Sequence, residues 1–289
     1  MRHIAYNAFL PLGTSLSLER LHALGNGIGK LMWAVLPSRR KETTACMRDR
    51  LGLGEREARE LAKASFRHSA CSFLELFHAR YMDHRFLEER IEYENPDLFV
   101  RMGATLRPVV GVTAHLGCWE LLGGVLKRFN VKTDCQVVAR LPKDAALADL
   151  LMHMRTQSKI RVLPHREAAT EALGKLRRGG LCAFLVDHNC KSAEAQFLPF
   201  LGKTAAVNKG PAILALRAKA EVWPFFLIRL PQGRFRAVTL PCLDTATLEG
   251  SRAERIEQIC RFYTGAVEEM VLRYPEQWFW MHRRWKTQP

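Results

Sequence analysis

Five short apolar runs, each closed by polar or turn-forming residues, alternate with longer segments of helical periodicity, and this alternation constrains the fold more than anything else in the chain. The runs cover 108–114, 136–139, 181–186, 222–228 and 235–240, and the helical segments lie near 119–128, 144–159, 167–178, 208–219 and 252–273. Apolar runs bounded by punctuation read as buried strands, and strands alternating with helices read as an α/β sheet covered by helices. No Pro-, Gly- or Ser-rich linker divides the chain and no internal repeat is visible. The simplest organisation is one catalytic domain with an N-terminal helical extension.

In open α/β sheets ligands collect at the carboxyl ends of strands, so polar residues that directly follow an apolar run are the first candidates for chemistry. His115 and Glu120 follow the run ending at Ala114, where a strand should give way to a helix. A neutral imidazole there can take a proton from a hydroxyl, and a carboxylate on its other ring nitrogen fixes the tautomer and stabilises the imidazolium. A backbone-satisfied histidine with a glutamate in the first helical turn explains the same six residues equally well. Arg140 closes the run 136–139 and offers a planar fork to a phosphate or an oxyanion, although a surface ion pair is the commoner use. Asp187-His188-Asn189 ends the run 181–186, and such a polar cluster suits a cleft better than a core. The segment from Gln196 to Thr204, with Lys203 near its end, fits either a loop holding acyl chain and head group or a hairpin turn.

Composition adds a partner requirement. With 44 Lys and Arg against 29 Asp and Glu, the formal charge of +15 points to an anionic surface, substrate or carrier, while the 48% hydrophobic share is that of an ordinary globular protein. The eight cysteines are scattered without a Cys-x-x-Cys pair, which reads as reduced, mostly buried thiols. His115 and Cys118 make a His-x-x-Cys pair, but no second pair at ligand spacing completes a metal site.

No stretch reaches the roughly 18 apolar residues of a spanning helix. Leu21, Leu24, Ile28, Leu31 and Val35 nevertheless recur at helical spacing, with Trp33 near the end and Arg39-Arg40-Lys41 just beyond. Such a segment suits the surface of an anionic membrane, or a helix packed on the domain. Gly25, Gly27 and Gly29 follow no strand and fit neither phosphate-binding fingerprint, so they read as close helix packing. A second helical stretch, Glu55 to Tyr81, carries Ala58, Ala62, Phe66, Ala70, Phe73 and Phe77 along one side. The C-terminal run from Pro275 to Lys286 places three tryptophans among cations, which suits an anionic membrane, stacked bases or a packed terminus.

His115-x4-Glu120 after a strand, Arg140, Asp187-His188-Asn189, the Phe-Leu-Pro-Phe-Leu-Gly-Lys loop and the closing Pro-Glu-Gln-Trp-x-Trp-x-His-Arg-Arg-Trp-Lys occur in that order. Together they resemble the late acyltransferases of bacterial lipid A biosynthesis, the lauroyl and myristoyl transferases, and their lysophospholipid-acyltransferase-like relatives. The resemblance runs from about residue 16 to the end. It implies an α/β fold, a mixed sheet covered by helices of the glycerolipid acyltransferase kind, with residues 1–95 a membrane-associating helical region and 96–289 the catalytic domain. It also implies transfer of an acyl chain from a thioester on acyl carrier protein, or coenzyme A, to a hydroxyl of a phosphorylated membrane lipid at the cytoplasmic face of the bacterial inner membrane. Under it His115 is the general base and Glu120 its orienting carboxylate. Arg140 meets phosphate or the thioester oxyanion, Asp187 and Asn189 take part in acceptor binding, and Lys203 binds substrate. No metal or organic cofactor is implied, since a thioester is already activated.

Two rivals remain. A basic nucleic-acid-binding protein would share the charge and the tryptophan-rich end, but no binding motif accompanies them, and no nucleic-acid partner is expected. A hydrolase could use the same dyad on water, but the chain has no Gly-x-Ser-x-Gly elbow.

Overall fold

The computed structural model describes residues 15–129, 135–139, 148, 161–164 and 168–289. Three helices precede the sheet. α1 (Leu18–Val35) starts at Ser17, whose hydroxyl accepts from the Arg20 N–H; α2 (Pro37–Leu51) has proline in its first turn; α3 (Glu55–Glu75) runs back across the molecule. α1 lies along α3 through Leu18, Leu21, Gly25, Gly29 and Trp33. A Cβ at Gly29 would fall 2.5 Å from the Arg67 Cα, so a residue without one is what lets the two backbones meet. The expected helix packing is thus observed at Gly25 and Gly29, whereas Gly27 is exposed with nothing within 4 Å of a Cβ built on it.

The apolar stripe of α1 divides between two faces. Positions 21, 25, 29 and 33 are four apart and share the inner face, whereas Leu24, Leu31 and Val35, exposed by 46%, 61% and 59%, share the outer one. Trp33 is therefore a core residue, edge-on to Phe66 with ring centroids 5.3 Å apart, and not an interfacial anchor. Among the described residues no helix is long and apolar enough to cross a membrane.

Next in order come α4 (His84–Arg90), β1 (Ile91–Glu94), α5 (Pro96–Ala104), β2 (Val109–Thr113), α6 (Leu122–Arg128), β3 (Cys135–Ala139), β4 (Arg161–Pro164), α7 (Ala168–Arg177) and β5 (Leu181–Leu185). They are followed by β6 (Ala195–Phe200), β7 (Lys203–Asn208), α8 (Gly210–Ala218), β8 (Glu221–Arg229), β9 (Phe235–Thr239), β10 (Leu243–Asp244) and α9 (Arg252–Arg273). The five apolar runs become β2, β3, β5, β8 and β9 of this alternation, and β1, β4, β6, β7 and β10 are strands that no such run marks. The helical segment expected near 144–159 falls almost wholly outside the described residues.

The eight-stranded main sheet has the order β1-β9-β8-β2-β5-β3-β4, with β10 paired to β8. It is mixed: β9 and β10 run antiparallel to β8, and the other pairs are parallel. Every residue of β8 is buried, and its side chains alternate between two cores. Val222, Phe226 and Ile228 join Val110, Val112 and Cys182 under α3, α7, α8 and α9, while Trp223, Phe225 and Leu227 join Val109, Leu181 and Ala183 under α5 and α6. Because α3 contributes Ala58, Ala62 and Phe66 to the first of these cores, the N-terminal helices share the hydrophobic interior of the sheet.

Candidate active site

Strand register alone brings the two best-placed polar residues together. β2 and β5 are adjacent and parallel in the middle of the sheet, with Thr113 opposite Leu185. His115 and Asp187 each lie two residues beyond those positions, so they leave neighbouring strand ends side by side. The Asp187 carboxylate accepts three N–H bonds, from the His115 backbone at 2.9 Å, from His115 Nδ1 at 2.8 Å and from the Trp278 indole at 2.9 Å.

The aspartate side chain is wholly buried and the histidine side chain 15% exposed. Burial by itself raises a carboxyl pKa, but the adjacent imidazoles and the hydrogen bonds outweigh it and hold Asp187 well below the usual carboxylate range. An ionised Asp187 can only accept, so Nδ1 carries the proton and Nε2, on the opposite edge of the ring, keeps a lone pair. That is the tautomer a general base needs.

The sequence reading gave the Nδ1 contact to Glu120 and an acceptor-binding role to Asp187. The structure places Asp187 at Nδ1. Asp187 occupies Nδ1 and is enclosed by protein, whereas Glu120 accepts from the Trp119 indole at 3.2 Å. The reason is topological: Glu120 belongs to the short helical turn Trp119–Leu121 on the same loop as His115, while the buried carboxylate arrives from the adjacent strand. Asn189 also faces protein, as its amide donates to the Thr287 hydroxyl at 2.9 Å and accepts from the Thr287 N–H at 3.0 Å. Lys203 is exposed at the tip of the β6–β7 hairpin, beyond a two-residue Leu201-Gly202 turn with positive φ at both positions, so the segment 196–204 is the hairpin of the two alternatives. Arg140 lies outside the described residues.

The tryptophan-rich terminus is packed, and it builds the wall of the site. Leu116 bridges Trp278, Gly117 N–H donates to the Gln277 carbonyl at 3.0 Å, and Phe279 N–H donates to the His115 carbonyl at 2.9 Å. His282 Nε2 donates to the Asp187 carbonyl at 3.1 Å. Burial lowers the His282 pKa to about 4, so this ring is neutral at pH 7 and adds no cation beside Asp187. Arg284, buried, donates to the carbonyls of His188 at 3.2 Å and Ala206 at 2.6 Å. Around His115 stand His188, Trp119 and Phe279, with ring centroids at 4.2, 5.2 and 6.4 Å, and the half-exposed Phe73 of α3 packs edge-on against the last two.

Behind the loop lies a polar network that sequence reasoning missed. Arg229, at the end of β8, makes a two-pronged ion pair with the buried Glu75 of α3 at 2.6 and 2.7 Å, and also meets Ser72 Oγ at 3.0 Å and His68 Nδ1 at 2.7 Å. His22 reaches the same carboxylate at 2.7 Å. Burial opposes ionisation of Glu75, yet Arg229 and the hydrogen bonds lower its pKa to about 2. Burial and the Arg229 cation lower that of His68 to about 3. Ser72 also donates to the Gly117 carbonyl at 2.6 Å, which ties the network to the His115 loop. Gly117 has φ +61°, and a Cβ there would stand 2.1 Å from the Leu227 carbonyl oxygen that accepts from Cys118 N–H. A charged side chain ending an apolar strand, as Arg229 does, was the available signal.

Cys118 is fully buried, so the His-x-x-Cys spacing does not turn its thiol toward a ligand shared with His115. Among the described residues no group of three or more His, Cys, Asp or Glu side chains could hold a metal ion.

The sequence profile of the bacterial lipid A biosynthesis acyltransferases matches residues 3–287. The chain belongs to this family. It is similar to the lipid A biosynthesis lauroyltransferase of Escherichia coli (strain K12), 24% identical over 275 residues that cover 93% of this chain and 86% of that protein. It is also similar to the lipid A biosynthesis palmitoleoyltransferase of the same strain and to a lipid A biosynthesis acyltransferase of Shigella flexneri, each 23% identical over 272 residues, covering 92% of this chain and 85% of theirs. The protein is therefore an acyltransferase, as the ordered motifs imply.

Proposed function

We propose that this acyltransferase moves a fatty acyl chain from an acyl carrier protein thioester to a hydroxyl of a lipid A precursor, with His115 as general base. The supporting observation is the His115 Nδ1–Asp187 bond, which leaves Nε2, on the opposite edge of the ring, unprotonated. His115 Nε2 takes the hydroxyl proton as the oxygen attacks the thioester carbonyl. When the C–S bond breaks, the same proton goes to the departing thiolate. Asp187 positions the ring and balances the imidazolium charge. Glu120, held against Trp119, is the second carboxylate of the pair and stabilises the imidazolium from the loop itself. Arg140 meets the acceptor phosphate or the oxyanion, Asn189 shapes the acceptor side by fixing the tail through Thr287, and Lys203 contributes positive charge at the hairpin.

The same reading makes the first 95 residues the membrane-associating part and 96–289 the catalytic part, at the cytoplasmic face of the inner membrane. Its support is the exposed row Leu24, Leu31 and Val35 on α1 with Arg39-Arg40-Lys41 just beyond, which suits peripheral contact with an anionic bilayer. No metal or organic cofactor takes part. The test is mass spectrometry of lipids after incubation with acyl carrier protein thioesters and a tetra-acylated lipid A precursor, beside His115→Ala. A gain of one acyl group that vanishes in the variant is expected. No gain with any chain length would overturn the acceptor assignment and point to another lysolipid or glycolipid.

A further inference from the structure

A base that must meet a hydroxyl at hydrogen-bond distance needs a fixed loop beneath it, and at Gly117 the His115 loop has no side chain to be held by. Gly117 has φ +61° and no room for a Cβ against the Leu227 carbonyl, so only its peptide groups can be gripped. Both are held by protein. The Gly117 N–H donates to the Gln277 carbonyl at 3.0 Å, and the Gly117 carbonyl accepts from Ser72 Oγ at 2.6 Å.

Arg229 fixes each of these two partners. The Gln277 side-chain amide accepts from the Arg229 backbone N–H and donates to the Arg229 carbonyl, both at 2.9 Å, and the Arg229 guanidinium donates to Ser72 Oγ at 3.0 Å. The guanidinium is itself locked by its fork onto Glu75 and by the unprotonated His68 Nδ1.

We infer that Ser72 is a positioning residue of the transfer reaction: backed by Arg229, its hydroxyl holds the Gly117 carbonyl and so keeps His115, two residues earlier, in place against Asp187. Ser72 Oγ has one proton and two carbonyls in reach, Gly117 at 2.6 Å and His68, four residues back on its own helix, at 2.9 Å. A helical serine commonly returns its proton to the carbonyl four residues back. Here the bond to the loop is the shorter one, and the bond that Oγ accepts from Arg229 polarises its O–H into a stronger donor. Ser72 is wholly buried, which keeps solvent from competing for the carbonyl. The α3 helix lies within the first 95 residues, yet it delivers a group on which the site depends.

The inference rests on His115 as the base proposed above. Its test compares Ser72→Ala with Thr245→Val in the full-length protein. Thr245 Oγ1 is also buried and donates to a backbone carbonyl, that of Ala220 at 2.7 Å, but at the opposite end of β8 from Arg229. Both variants should lose similar stability in urea. Only Ser72→Ala should lose kcat, by about 10–10²-fold, in transfer to the tetra-acylated lipid A precursor and in hydrolysis of the thioester alike, with KM little changed. A second readout needs no substrate. The proton NMR resonance of His115 Nδ1–H, assigned by its absence from His115→Ala, should shift or broaden in Ser72→Ala and stay in place in Thr245→Val. An unchanged kcat in Ser72→Ala would overturn the inference, as would a kcat loss with the resonance unmoved. An equal kcat loss in Thr245→Val would reduce the effect to stability, and a raised KM at unchanged kcat would mark a substrate contact; either result also overturns it. If the unsubstituted protein neither transfers nor hydrolyses, the proposed reaction is wrong, while the resonance still reports whether Ser72 holds His115.

Discussion

Asp187→Asn separates the two carboxylates as partners of His115. The amide can enter the site in two orientations. With its oxygen toward His115 Nδ1, its NH2 faces both the His115 backbone N–H and the Trp278 indole N–H, now bonded at 2.9 Å each to one carboxylate oxygen. Two donor–donor contacts in a buried site cost about 1–3 kcal/mol each. With the NH2 toward Nδ1, the oxygen keeps both of those bonds, and the remaining clash is relieved by moving the imidazole proton from Nδ1 to Nε2. The second orientation satisfies every group, so it prevails, and it leaves His115 with the wrong tautomer. A tautomer reversal of this kind costs about 10⁴ in turnover, or ~5.5 kcal/mol of transition-state stabilisation. The assay is single-turnover acyl transfer with thermal unfolding in parallel. We expect kcat near 10⁻⁴ of the unsubstituted value, little change in KM and a retained fold. Glu120→Gln, which keeps an acceptor for Trp119, should lose less. Activity within tenfold of normal in Asp187→Asn, alongside a collapse in Glu120→Gln, would refute the reasoning and restore Glu120 as the orienting carboxylate.

Arg229→Met leaves the Glu75 carboxylate buried without its cation and should destabilise by about 3–5 kcal/mol in urea denaturation, while Arg229→Met combined with Glu75→Leu should recover a good part of that loss; equal losses would mean the pair is not electrostatically coupled. In Gly117→Ala, the new Cβ faces the Leu227 carbonyl at 2.1 Å and the loop must shift, so kcat should fall about 10²-fold, and a fully active, equally stable variant would contradict the packing. The folded state also depends on pH. His282 is held at about 4 by burial but titrates near 6.5 when unfolded, so the unfolded chain binds the proton first and stability is present above 6.5 and lost as pH falls toward 4. The loss attributable to this group is roughly 3 kcal/mol, and His68, held at about 3, adds in the same direction; an unfolding free energy that is flat between pH 7 and 5 would exclude both.

The apolar runs by themselves determined where five of the ten described strands lie and, because ligands gather at strand ends, that His115 and Asp187 were candidates; β1, β4, β6, β7 and β10 carry no such run. Each of the five runs marks a strand of the main sheet, because an unbroken apolar run is a local signal of a strand in a helix-covered sheet. The resemblance carried by the ordered motifs likewise placed the chain in the right family. What the sequence could not decide was which groups touch. Asp187 reaches His115 across 72 residues because β5 lies directly beside β2, and strand order is a property of the assembled sheet. Arg229 and Glu75 are 154 residues apart, and neither carries a mark of its partner. Trp33 was read with the stripe beside it, but the crossing of α1 on α3 decided which helical face turned inward. Periodicity is written along the chain; pairing depends on distances that exist only once the hydrophobic layers have closed.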